Sequence, residues 1–184
     1  MYRLGTTRSA RWRALIVSSA ALVAAARHAS AEEPPRPRNV VVADLGLHVV
    51  GIGYERIVDR WVAVQGAAEW YVPWTQGGDR ALAIWGFALR TRVFFHLGGN
   101  APNGVWLSPV GTFGYGFADF AGVDRGGPMW SVGASLGYAG TLFRHVHLSI
   151  GVGGQYNEGR FGSATPPTYA RFYPQLDGTI GYAW

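Results

Sequence analysis

The sequence predicts an all-β fold, an up-and-down antiparallel transmembrane β-barrel of eight strands over residues 39–184. Three observations predict it. From Asn39 onward, large apolar residues recur at every second position in long runs, which is the period of a strand. The opposite face of each run is mostly Gly, Ser, Ala and Thr, and the chain has no lysine. Charged residues make up only 15% of the chain while aromatics reach 14%, against about a quarter charged in an ordinary soluble domain.

The chain opens on a different composition. Arg3, Arg8, Arg11, Arg13 and Arg27 fall in the first 31 residues with no acid among them. The apolar run "ALIVSSAALVAAA" and the small residues Ala29 and Ala31 complete the pattern of a secretory signal peptide over 1–31. That run is 13 residues long, short of the roughly 20 that cross a bilayer as a helix. A proline-rich leader over 32–38 follows. Without the first 31 residues the 16 basic residues fall level with the 11 acids. The net charge of +5 then disappears, leaving no basic patch for nucleic acid. The absence of cysteine excludes disulfides and thiolate metal sites.

The strands come in order. "NVVVADL" is a first, short strand, with a hairpin around Leu45–His48; one long first strand, giving seven in all, is the alternative. In "VVGIGYERI", Val50, Ile52 and Tyr54 oppose Gly51, Gly53 and Glu55. "WVAVQGAAEWYVPW" sets Val62, Val64, Ala68, Trp70, Val72 and Trp74 against Gln65, Glu69 and Tyr71. "ALAIWGFALRTRVFFH" sets Trp85, Phe87, Leu89, Val93 and Phe95 against Gly86, Ala88, Arg90, Arg92 and His96. "VWLSPVGTFGYGF" gives Leu107, Phe113, Tyr115 and Phe117 against Ser108, Thr112, Gly114 and Gly116. The next two runs alternate most strictly. Trp130, Val132, Ala134, Leu136, Tyr138 and Leu142 oppose Ser131, Gly133, Ser135, Gly137, Ala139 and Thr141. Val146, Leu148, Ile150, Val152 and Tyr156 oppose His145, His147, Ser149, Gly151, Gly153 and Gln155. In a helix each of these glycines would cost about 1 kcal/mol. The last strand sets Phe172, Leu176, Ile180, Tyr182 and Trp184 against Arg171, Tyr173, Gln175, Asp177, Thr179 and Gly181. Short turns at 58–60 and near Arg144 alternate with longer connections at "TQGGDR", "ADFAGVDRGGP" and "NEGRFGSATPPT". Short turns on one side require an even number of crossings, which favours eight.

The period does not say which face looks outward; the residue types do. A wet face in a soluble sheet carries lysine and glutamate. A small closed barrel instead has an interior just wide enough for side chains, where glycine and serine leave room for a few charges. Its large residues then meet lipid, and the aromatics near strand ends (Trp61, Trp70, Trp74, Trp85, Phe95, Phe117, Trp130, Tyr156, Phe172 and Trp184) form interface girdles.

On this pattern of signal peptide, alternating strands and opposed turn lengths, residues 39–184 resemble the small eight-stranded outer-membrane barrels of Gram-negative bacteria, the OmpA/OmpX-like group. The resemblance implies an outer-membrane location, lipid as surroundings and a monomer. It also implies that Ile180, Tyr182 and Trp184 form the signal read by the barrel-assembly machinery.

The inward face collects Glu55, Glu69, Arg90, Arg92, Arg171 and Asp177, with His96, His145 and His147. Buried charges need partners, so a luminal salt-bridge network that plugs the barrel is expected, in preference to the selectivity ring of a narrow pore. "HLS" at His147–Ser149, with Glu158 downstream, shares a His-x-Ser pair with outer-membrane lipid A deacylases. The match is three letters long and sits on the inward face, so no catalytic residue is assigned. Two histidines at i, i+2 fall short of the roughly four ligands of a structural metal site, and neither a metal nor a cofactor is expected. The role expected is structural or interactive, through loops at 75–80, 118–128 and 157–168. A secreted soluble barrel binding an apolar ligand remains the alternative outside the membrane.

Overall fold

The computed structural model describes residues 37–47, 49–71, 84–120, 123–162 and 168–184. The predicted signal peptide, most of the leader, His48, Val72, Trp74 and the predicted loop at 75–80 lie outside them, as does the side chain of Arg171. Eight strands form a closed barrel in sequence order. They are β1 (Asn39–Gly46), β2 (Val49–Ile57), β3 (Val62–Tyr71), β4 (Ile84–His96), β5 (Gly104–Phe120), β6 (Val123–Leu142), β7 (Val146–Arg160) and β8 (Thr168–Ala183). Each pairs antiparallel with the next, and β1 pairs with β8 in the register Val41↔Tyr182, so no edge is left open. The short first strand and its hairpin are both present, which gives eight strands and not seven.

The period-two pattern settles into one orientation. Ile52, Leu89, Phe113, Leu136, Ile150 and Phe172 are exposed on the outer wall, while Glu55, Glu69, Arg90, Ser135 and Asp177 are buried inside. This is the reverse of a soluble sandwich, which buries its large face. Two aromatic belts ring the outer wall. One contains Trp70 against Phe87 (ring centroids 5.0 Å apart), Trp85 stacked on Phe117 (4.4 Å) and Trp130 against Tyr156 (5.7 Å). The other contains Tyr54 against Trp184 (6.5 Å) and Trp184 against Tyr182 (6.1 Å). Along β4 the belts are marked by Trp85 and Phe95. Ten residues at about 3.3 Å each, tilted as barrel strands are, give roughly 25 Å between belts, the height of a hydrocarbon band.

The connections define two ends. The turn end carries the short links at 58–61, 97–103 and 143–145. Asp59 shapes the first of these: its Oδ1 accepts the N–H of Trp61 (2.6 Å) and of Val62 (2.9 Å), an aspartate turn. In the third, Phe143 (φ 50°) and Arg144 (φ 69°) both adopt left-handed backbone, and His145 N–H donates to Leu142 O. That is the hairpin geometry whose twist matches the flanking strands. Because the turn runs through His145, this residue lies before β7 and outside the lumen. It is exposed, and its ring stacks on the outward Tyr182 at 5.1 Å. The expectation that it points inward is thereby corrected.

The loop end differs from expectation as well. Most of "ADFAGVDRGGP" is strand, with β5 and β6 paired up to Phe120↔Val123. Likewise Asn157–Arg160 belongs to β7, with Arg160 opposite Thr168. The loops expected at 118–128 and 157–168 are therefore shorter than their polar composition suggests.

Candidate functional site

The lumen is the site where chemistry-bearing side chains converge. Arg90, on β4, lies at its centre and reaches three carboxylates. It pairs with Asp44 of β1, with Glu69 of β3 (2.5 Å) and with Asp177 of β8 (3.3 Å). Arg92, one inward position along β4, donates to the same Asp177 at 2.8 Å. Asp177 also accepts from Ser135 Oγ (2.6 Å) and Gln175 Nε2 (2.8 Å). All seven of these side chains are buried. The strands at the two ends of the sequence thus meet β4 across the barrel, because closure of β1 on β8 sets Asp44 and Asp177 on adjacent strands facing it. A guanidinium suits this position: its five N–H donors spread in a plane, so one cation serves several carboxylates.

Among the remaining residues expected in the lumen, Glu55 is buried on β2 in the same cross-strand row as Gln65 and Arg92. His96 and His147 are buried toward the turn end. Arg171 is paired in register with Asn157. Asp44 was not singled out from the sequence, although it makes a direct ion pair with Arg90. Its signal was its parity, two positions after Val42 on the inward row of β1.

Below the ionic layer, toward the turn end, the lumen becomes apolar. Val40, Val42, Ile57, Ala63, Phe94, Ala101, Trp106, Ala139 and Ala183 form one buried cluster. The indole of Trp106 lies against two glycines. A Cβ on Gly137 or on Gly151 would come within 2.3 Å of the ring, so only glycine admits it at this depth. The indole Nε1 donates to Ser149 Oγ at 3.1 Å, and Phe94 meets the ring edge-on at 5.1 Å and 89°. The Arg92 guanidinium sits 5.3 Å from the Phe94 ring and joins the two layers.

The His-x-Ser likeness does not assemble as a catalytic unit. Ser149 is engaged by the Trp106 indole, His147 points inward, and Glu158 lies on the outward row of β7, where it binds Arg160 at 3.2 Å. Ser149 and Glu158 are nine residues apart on one strand, or about 30 Å. Among the described residues no group of three or more His, Cys, Asp or Glu side chains converges as metal ligands.

No protein-family model matches the chain, and a search of curated proteins gave no match. Two solved structures are similar. Neisserial surface protein A (NspA) superposes with a TM-score of 0.52 at 15% identity, covering 79% of this chain and 97% of that one. The N-terminal β-barrel domain of Pseudomonas aeruginosa OprF gives 0.45 at 12% identity, covering 80% and 98%. The first likeness shows the fold, that of an eight-stranded outer-membrane barrel.

Proposed function

We propose that this barrel of the outer-membrane type has a plugged lumen and no catalytic activity, and serves as a structural or interactive scaffold through its loop end. The observation that carries the reading is Arg90, which ties β4 to carboxylates on β1, β3 and β8. Eight strands leave an interior just wide enough for side chains, and a network strung between opposite walls occupies it. The apolar layer around Trp106 supports the same reading at the turn end.

The surroundings follow from the wall. Leu136, Leu148 and Ile150 are exposed, and only hydrocarbon makes a cladding of that kind favourable. The closed ladder leaves no strand edge for a second copy to extend, which supports reading the barrel as a monomer. Ile180, Tyr182 and Trp184 stand in one outward row at the turn end, where the barrel-assembly machinery would read them.

Two measurements test this. Planar-bilayer recording of the purified protein is expected to give no stable conductance, and a steady large one would overturn the plug. Spin labels at Leu136 and Leu148 are expected to collide with oxygen dissolved in hydrocarbon and to stay out of reach of a water-soluble nickel reagent. The reverse pattern would remove the membrane reading altogether.

A further inference from the structure

The turn end is edged with arginine. Arg38, Arg56, Arg60 and Arg144 are all exposed there. The one exposed side-chain carboxylate described at that end is Asp59, whose oxygen is taken up by the N–H groups of Trp61 and Val62. Among the described residues of that end, side-chain cations outnumber side-chain anions. At the loop end exposed Arg160 is paired with Glu158, and Arg125 is exposed as well.

Arg56 shows what this edge is built to meet. It lies on the outward row of β2, two residues past Tyr54, so its stem runs along the outer wall. Its Nη1 donates to Asn39 Oδ1 at 2.5 Å, and the same oxygen accepts from the Tyr54 hydroxyl at 2.6 Å. Asn39 is neutral, so this contact orients the guanidinium without cancelling its charge. Tyr54 packs near Trp184, and the Arg60 guanidinium lies 5.3 Å from the Trp61 ring. Arg56 and Arg60 therefore share one level with the aromatic belt. Rings of this kind settle at the depth of lipid headgroups, and a guanidinium held at that depth matches the two free oxygens of a phosphodiester.

We propose that this arginine collar binds the headgroups of anionic glycerophospholipids in the leaflet that surrounds the turn end. The inference rests on the membrane reading above. Each arginine near such a surface favours the anionic lipid roughly fivefold. The orientation of Arg56 by Asn39 adds a fixed binding direction to that attraction.

Quenching of tryptophan fluorescence by brominated lipids tests the collar on the full chain refolded into vesicles. Brominated phosphatidylglycerol is expected to outcompete brominated phosphatidylethanolamine by at least roughly fivefold, with the excess shrinking as salt screens the charges. Arg38→Gln/Arg56→Gln/Arg60→Gln/Arg144→Gln is expected to bring the ratio close to one, while Arg125→Gln/Arg160→Gln at the loop end leaves it unchanged. If the fourfold variant does not refold, the salt series on the unaltered chain decides: a salt-independent ratio, or none above one, overturns the collar. A preference that survives the fourfold change overturns it too, as does one for lipid A over phosphatidylglycerol. Failure of the membrane reading gives a separate result, in which neither brominated lipid quenches at all.

Discussion

The middle of the lumen and its turn end are filled by opposite means. In the middle, Arg90 and Arg92 meet Asp44, Glu69 and Asp177, and the filling holds because charges find partners. At the turn end, Trp106, Phe94 and their apolar neighbours hold because shapes fit, with Gly137 and Gly151 shaped around one indole. The difference teaches how each layer fails. The first is sensitive to losing a partner and tolerant of coordinated neutralisation. The second is sensitive to a single added methyl group.

The largest effect is expected where a partner is lost. Arg90→Met leaves Asp44 and Glu69 buried without their cation and Asp177 with Arg92 alone, and urea titration of the refolded barrel should show a loss of about 3–5 kcal/mol. Neutralising the stranded carboxylates as well, with Asp44→Asn and Glu69→Gln added while Asp177 keeps Arg92, should recover much of that loss. If it does not, the middle layer depends on shape as well, and the contrast collapses. A middle-sized effect belongs to the turn end. Gly151→Ala drives a methyl into the indole and should cost about 1–3 kcal/mol. In a double-mutant cycle Trp106→Leu should relieve that cost, showing coupling through space; additivity would mean that the glycine serves the backbone instead. The smallest effect tests the polar contact within the apolar layer. Ser149→Ala strands the indole N–H and should cost about 1 kcal/mol by the same titration.

The two layers were unequally legible in the sequence. Strand parity marked Glu69, Arg90, Arg92 and Asp177 as inward because charges are rare in this chain and conspicuous on a small-residue face. Which carboxylate meets which arginine was not legible, since the pairing joins strands remote in sequence and depends on closure of β1 against β8. Asp44 was overlooked in a short apolar segment with little alternation around it. Trp106 and Phe94 were harder still. In "VFF" and "VWL" bulky residues occupy both parities, so composition no longer separates the faces. The signal lay on other strands, in the inward glycines at 137 and 151, and only the register connects them with Trp106. The ends of β5 and β6 were misread for another reason. Beyond the lipid a paired strand can be wetted on both faces, so the hydrogen-bond ladder continues where the apolar period has stopped.

That unequal wall has a consequence for how the molecule would respond to cutting. β1 has 8 residues and β6 has 20, so one flank stands far taller than the other. A protease acting between Phe120 and Val123 would sever the link between β5 and β6, the two longest strands. Both cut arms would stay zipped to each other and to their outer neighbours along the length of the strands. The product would be a nicked but undivided cylinder, separable into two fragments only after boiling.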